Sequence, residues 1–98
     1  MARKRIAPVH PGRLLAEDMA EMSISINRLA RDTRMSASRA SEIVNGKRGI
    51  TAETALRLAR FLGTSAQYWL NLQSSYELAK AEDELAGKIE REVLPFSA

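Results

Sequence analysis

The chain has 98 residues, no cysteine, and 15 Lys and Arg against 12 Asp and Glu, which gives a formal net charge of +3. This length predicts a single domain, and the lack of cysteine excludes disulfides and thiolate metal sites and favours an intracellular location. No apolar run approaches the ~20 residues that span a bilayer, and no apolar segment follows the basic N-terminal residues as it would in a secretory signal. We therefore expect a cytoplasmic protein with no membrane partner.

The charge is distributed unevenly along the chain. Residues 1–50 hold 10 Lys and Arg against 5 Asp and Glu, whereas residues 51–98 hold 5 against 7. A basic half suits a polyanion, because neutralising phosphates releases their counterions and favours binding. The alternative is an ordinary solvated face, on which a balance of a few charges is common.

Every clear periodicity in the chain is helical, and no segment alternates with the period of two that is typical of a strand. Residues 1–10 are predicted to be a basic, mobile arm. Pro11 suits the first turn of a helix, where its missing N–H is not needed, and the apolar spacing that follows predicts a first helix over Pro11–Met22.

The segment from Ser25 to Gly46 predicts two short helices joined by a tight turn. Ser25 and Ser36 are placed to cap them, since a serine hydroxyl accepts from a free N–H of the first turn. The inward apolar positions are Ile26, Leu29 and Ala30 on one helix and Ala40, Ile43 and Val44 on the other. This is the pattern of a helix-turn-helix, whose second helix lies in the DNA major groove.

Two further helices follow a loop over residues 47–50. Thr51 is placed to cap the fourth helix, which has Glu53 in its first turn and Gly63 at its end. Ser65 is placed to cap the fifth. Beyond Lys80 the charge becomes dense, and we expect the helix to fray or break at Gly87.

The outward positions near the start of the second motif helix are candidates for base contacts. Arg39 is the sharpest of them, because a guanidinium can bind O6 and N7 of a guanine together. Ser36 and Ser38 are small, so the helix can approach the floor of the groove closely. Ala37 and Glu42 complete the outward set. The alternative for Arg39 is a solvated surface charge.

Four residues are candidates for contacts to the DNA backbone. Asn27 and Arg28 lie at the start of the first motif helix, where N–H groups can also face a phosphate. Lys47 and Arg48 lie in the loop after the second. Such contacts position a protein on DNA without reading its sequence, and each of these residues could equally be only exposed to solvent.

The fifth helix carries an apolar stripe of Trp69, Leu72, Tyr76 and Ala79. Part of the stripe must pack on the helix-turn-helix, but it extends further than a core of this size requires. An exposed apolar stripe usually marks an interface, and here it predicts a homodimer contact. The chain then divides into an arm at residues 1–10, a DNA-binding domain with its dimerisation helix at 11–80, and a charged tail at 81–98.

No feature of the sequence indicates an enzyme. His10 is the one histidine, and it has no partner at the spacing of a metal site or a catalytic triad. The carboxylates of residues 82–84 form a charge run, and no glycine-rich phosphate loop is present. We expect no cofactor, no metal and no small-molecule substrate.

With these motifs in place, the chain resembles the HigA-type antitoxins within the Cro/repressor-like helix-turn-helix proteins. The resemblance is carried by HPGRLL at residues 10–15 and by SRASEIVNGKRGITAETALRLARFLGTSAQYWLNLQSSYEL at 38–78. It covers about residues 8–80. One departure is Arg34, at the turn position where many helix-turn-helix proteins have glycine. Either the turn takes another conformation or Arg34 has a positive φ at some cost.

The resemblance implies a small, all-α, five-helix, lambda-repressor-like domain with an extended C-terminal helix. It implies a homodimer that binds double-stranded operator DNA, represses its own operon and neutralises a HigB-type mRNA-cleaving toxin. By position, base contacts fall on Ser36, Ala37, Ser38 and Arg39, and backbone contacts on Lys47 and Arg48. A solitary repressor without a toxin would look the same, and a pure protein-interaction module is a third alternative.

Overall fold

The computed structural model describes residues 7–97, which form five α-helices and no strand. The helices are α1 (Pro11–Met22), α2 (Ile26–Thr33), α3 (Ala37–Val44), α4 (Ala52–Leu62) and α5 (Ala66–Glu92). The predicted all-α, five-helix architecture is confirmed, and α1 has the predicted bounds.

Four helices begin at the hydroxyl side chains that the sequence places there. Each hydroxyl accepts a hydrogen bond from the backbone N–H of the third residue of its helix. The distances are 3.1 Å at Ser25, 3.1 Å at Ser36, 3.3 Å at Thr51 and 3.0 Å at Ser65. A cap of this kind stabilises a helix by about 1 kcal/mol, so the four starts are fixed by local sequence.

The turn between α2 and α3 is closed by Arg34, whose φ is +60°. Of the two alternatives left by the sequence, Arg34 therefore takes the left-handed conformation at the end of α2. Its N–H donates to the carbonyls of Ala30 and Arg31, so two backbone acceptors at the helix end are satisfied and offset the conformational cost. After α3, Gly46 takes the same conformation with a φ of +74°.

The core draws one fully buried large side chain from each helix. These side chains are Leu15, Leu29, Ile43, Leu58 and Trp69, all 0% exposed. Burying each one stabilises the fold by about 1.5–3 kcal/mol. Because all five helices contribute to a single cluster, the helix-turn-helix cannot keep its geometry without α1, α4 and α5.

Trp69 belongs to this core and not to a surface. Its indole N–H donates to the Thr64 hydroxyl at 2.8 Å, which satisfies its polar atom inside the chain. The prediction that Trp69 forms a dimer interface is therefore wrong, because no part of the ring is free to meet a partner. Leu72 is partly buried against the same core, and Tyr76 and Ala79 are half-buried; their place in an interface stays a prediction.

Helix α5 runs without interruption through Gly87 to Glu92, so the expected break at Gly87 is wrong. A single glycine costs a helix only about 1 kcal/mol, and residues 81–86 and 88–92 contain strong helix formers. Every residue from Glu82 to Ser97 is exposed. The second half of α5 is therefore a helix that extends beyond the core.

The N-terminal arm differs in part from its prediction. Residues 1–6 lie outside the described residues, and residues 7–10 have no regular secondary structure. His10, however, is the N-cap of α1 and accepts a hydrogen bond from the Gly12 N–H on Nδ1 at 2.9 Å. The mobile arm predicted for residues 1–10 therefore does not include His10, which is fixed in the fold.

No helix in residues 7–97 is both long enough and apolar enough to cross a membrane. The same residues contain no cluster of three or more His, Cys, Asp or Glu side chains that could hold a metal ion.

Replacing Trp69 with Ala should lower the free energy of unfolding by about 3–5 kcal/mol, because it removes the largest buried side chain and leaves a cavity. Urea unfolding followed by circular dichroism measures this change. Leu56→Ala is the matched control, since Leu56 is 63% exposed and its truncation should change stability little. A folded, monomeric Trp69→Ala variant of native stability would place the ring in an interface instead.

Candidate nucleic-acid interface

Helices α2 and α3 form a helix-turn-helix whose second helix turns one face to solvent. Ala40 and Ile43 are buried and attach α3 to the core. Ser36, Ala37 and Ser38 are exposed as predicted, and Glu42 is partly exposed. The start of α3 therefore offers small side chains to the outside, which allows close approach to another surface.

Two residues of this face were missed from the sequence. Ser41 and Asn45 follow Ser38 at intervals of three and seven residues, which places all three on one side of a helix. The Asn45 side-chain amide donates to the Ser41 carbonyl at 2.9 Å and to its hydroxyl at 3.2 Å. The helical spacing from Ser38 is the signal that could have found them.

Arg39 does not extend freely from this face. Its guanidinium donates to the Thr54 hydroxyl, lies 3.7 Å from a Glu53 carboxylate oxygen, and its side chain is only 24% exposed. The prediction that the guanidinium points freely outward is therefore wrong, because the start of α4 supplies two acceptors within its reach. Arg39 connects α3, the helix predicted to enter the major groove, to α4. Its contact with a base stays a prediction.

The same acidic residue connects α4 to both motif helices. Glu53 accepts from Arg57 at 3.0 Å, and Arg57 also donates to the backbone carbonyl of Thr33, the last residue of α2, at 3.0 Å. The hydrogen bond from Arg57, and next the charge of Arg39, lower the pKa of Glu53. This network of Arg39, Glu53 and Arg57 holds both helices of the motif against α4.

The candidate backbone contacts lie at the two ends of the motif. Asn27 and Arg28 are exposed in the first turn of α2, and Arg28 lies 3.3 Å from Asp32. Hydrogen bonding from Arg31, assisted by Arg28, lowers the pKa of Asp32. These ion pairs are exposed, so each contributes little to stability, and their cations remain available to an external anion.

Lys47 and Arg48 lie in a loop whose backbone is fixed at both ends. The N–H of Lys47 donates to the Glu42 carbonyl at 2.8 Å, and the Arg48 guanidinium donates to the Glu42 carboxylate at 3.0 Å. At the other end, the N–H of Ile50 donates to the Gln73 side chain of α5 at 2.8 Å. The loop therefore presents both cations from a defined position beside α3.

The site as a whole is an exposed, polar helix face with cations on the neighbouring segments. Exposed cationic side chains on α2, the turn and the loop are Arg28, Arg31, Arg34, Lys47 and Arg48. Such an arrangement attracts phosphates and places a narrow helix beside them. This geometry defines the class of protein as a helix-turn-helix protein, and the family described as Helix-turn-helix matches residues 15–69.

Known proteins narrow the class further. The chain is 45% identical over 83 residues to Virulence-associated protein I of Dichelobacter nodosus. The aligned region covers 84% of this chain and 77% of that protein. A structure of an addiction module antidote protein of the HigA family from Coxiella burnetii is 44% identical, with a TM-score of 0.90 over 93% of this chain and 100% of that one.

A second solved structure, the antitoxin HigA of Pseudomonas aeruginosa with the higBA promoter, is 44% identical and has a TM-score of 0.88. The superposed region covers 92% of this chain and 99% of the Pseudomonas chain. The chain therefore belongs to the HigA-type antitoxins of the helix-turn-helix family.

Replacing Glu53 with Gln should destabilise the chain at neutral pH and flatten its loss of stability in acid. Because the folded-state pKa of Glu53 lies below its ordinary value of 4.5, the ionised carboxylate stabilises the fold above that value. This contribution disappears as the pH falls through the folded-state pKa. Urea midpoints measured from about pH 7 to about pH 3 test the expectation.

Glu17→Gln on α1 is the control, since Glu17 is exposed and its nearest cation, Arg13, is 4.0 Å away. A Glu53→Gln variant with the same pH profile as the Glu17→Gln variant would show that the network does not hold the motif.

Proposed function

We propose that the chain is an antitoxin that binds operator DNA as a homodimer, represses its own toxin–antitoxin operon and neutralises a HigB-type mRNA-cleaving toxin. The observation that carries the proposal is the small, polar, exposed face of α3, flanked by cations, in a chain that is 44% identical to an antitoxin solved with its promoter.

In this proposal α3 enters the major groove with its first turn against the base edges. The small side chains of Ser36, Ala37 and Ser38 permit close approach, and the hydroxyls of Ser36 and Ser38 can bond base edges. Glu42 can accept from the amino group of a cytosine, although its carboxylate first has to release Arg48. Arg48 then becomes free for a phosphate, so one rearrangement supplies two contacts.

The phosphate contacts are proposed on both sides of that helix. Asn27 and Arg28 contact one strand from the start of α2, and Lys47 and Arg48 contact the backbone from the loop. Phosphate contacts set the register of a protein on the duplex. With the loop attached to α3 through Glu42, these contacts also fix the depth at which α3 lies in the groove.

A homodimer is proposed because a single eight-residue helix reads few bases and because α5 exposes apolar surface. Leu72, Tyr76 and Ala79 remain proposed contacts, although Trp69 does not. Leu78, Leu85 and Ile89 add an exposed apolar row on the outward side of α5. Two recognition helices would then enter successive major grooves about 34–36 Å apart.

The experiment that tests the function is a gel shift of the purified chain on its own promoter region, with a scrambled duplex as control. We expect a specific shift with two chains per operator, and co-purification of a small basic toxin encoded beside the gene. A specific shift with no toxin partner would identify a solitary repressor. No difference between the two duplexes would exclude operator binding and favour a protein-interaction module.

Two substitutions separate base reading from backbone contact. Arg39→Ala should weaken binding to the cognate operator by roughly 1–3 kcal/mol and relax the preference at one base pair. Lys47→Ala should weaken binding to every duplex and reduce the salt dependence by about one unit of slope. Binding to operators altered one base pair at a time, at several salt concentrations, measures both effects.

Arg39→Ala could also weaken DNA binding without any lost base contact. Because Arg39 also bonds Thr54, its loss could weaken binding by loosening α3. In that case cognate and scrambled duplexes would lose equal affinity, and Thr54→Val, which removes only the acceptor hydroxyl, would reproduce the loss. Such a result would refute a base-reading role for Arg39.

A further inference from the structure

His10 joins three parts of the molecule that lie far apart in the sequence. Its Nδ1 caps α1 through the Gly12 N–H, and its ring meets the ring of Tyr76 on α5 edge to face, with centroids 5.0 Å apart. The ring also covers Gly46, because a Cβ added to that glycine would lie 3.6 Å from Cγ of His10.

The backbone of Arg48, in the loop that carries the proposed phosphate contacts, is close enough to the ring to raise its pKa. Because Nδ1 accepts from Gly12, the proton of the neutral ring lies on Nε2, which is the nitrogen left to donate. A neutral His10 can therefore cap α1 and still donate from its other nitrogen.

The loop is held between α3, α5 and the ring of His10. Residues 46–49 border a cleft of about 430 Å³, whose far wall is formed by Tyr76, Lys80 and Leu85 of α5. Gln73 holds the end of the loop at Ile50, the N–H groups of Gly46 and Lys47 donate to carbonyls of α3, and His10 adds a contact at Gly46 from the start of α1. The start of α1 is itself seated on α3, since a Cβ on Gly12 would lie 1.8 Å from the Ile43 carbonyl oxygen.

We propose that His10 is a positioning residue for DNA binding, whose neutral ring holds the loop of Lys47 and Arg48 beside the recognition helix, and whose protonation weakens DNA binding. This inference rests on the proposed function, because it assigns the loop to phosphates. A protonated ring cannot accept the Gly12 N–H, so the cap and the alignment of the ring are lost together.

The surroundings of the ring oppose its protonation. Burial is the main cause that lowers the pKa of His10, and the charge of Lys80 on α5 adds to it, while the backbone of Arg48 acts in the other direction. The cleft beside the ring is also lined by Lys47, Glu77 and Glu84. The ring is therefore neutral at neutral pH, and its cap on α1, with the alignment that the cap gives the ring, is lost as the pH falls through a value below the ordinary 6.5.

The test uses His10→Asn in the full chain, because asparagine can still cap α1 but has no ring to meet Tyr76 and Gly46. We expect a folded protein whose affinity for its operator falls about tenfold and whose salt slope becomes shallower by about one to two units, as for one or two lost phosphate contacts. The scrambled duplex should show the same change in slope, because phosphate contacts do not depend on sequence.

Ser65→Ala is the matched control, since it removes a helix cap from the start of α5 without touching the loop. It should lower stability and leave the salt slope unchanged. An unaltered slope for His10→Asn would overturn the inference while leaving operator binding by the wild-type chain in place. Failure of the wild-type chain to bind DNA would overturn the proposed function together with the inference.

A pH titration of the wild-type chain gives a measurement that does not depend on the variant folding. Binding to the operator should weaken as the pH falls from about 7.5 to about 5, although added positive charge alone would strengthen it. The His10→Asn variant should lack this weakening. Affinity that stays constant or rises in the wild-type chain would overturn the inference.

Discussion

Helix α3 has eight residues, too few for a helix to be stable alone in water. Its conformation depends on burying Ala40 and Ile43, on the Ser36 cap, and on close contact with the start of α1 at Gly12. These contacts use one side and both ends of the helix. The opposite side is left exposed and polar.

The charged side chains around α3 fix the positions of the helix and the loop more than they stabilise the fold. Arg39 bonds α4, and Arg48 bonds Glu42. The pair of Arg48 and Glu42 is partly exposed and contributes little free energy to folding, but both contacts restrict the positions of helix and loop before any ligand arrives. In the proposed complex, a DNA phosphate that displaces Glu42 from Arg48 would meet a cation that is already held beside α3.

The parts of this structure that depend on local sequence were predictable. The caps at Ser25, Ser36, Thr51 and Ser65 act over three residues, and the order of the helices follows from them. Arg39 and His10 were misplaced because their partners lie far away in sequence. Arg39 turns to Thr54, fifteen residues on, and His10 meets Tyr76. No local spacing contains these contacts, because only the packed fold brings the partners together.

Helix α5 is one continuous helix whose two halves differ in character. Up to Ala81 it supplies Trp69 to the core, Gln73 to the loop and Tyr76 to His10, so a change in this half reaches the recognition surface. Beyond Ala81 every side chain is exposed, including Leu85 and Ile89. Apolar side chains that are this exposed add little to the stability of a single chain. A partner seated on them would act on the loop of residues 47–50 through the same helix.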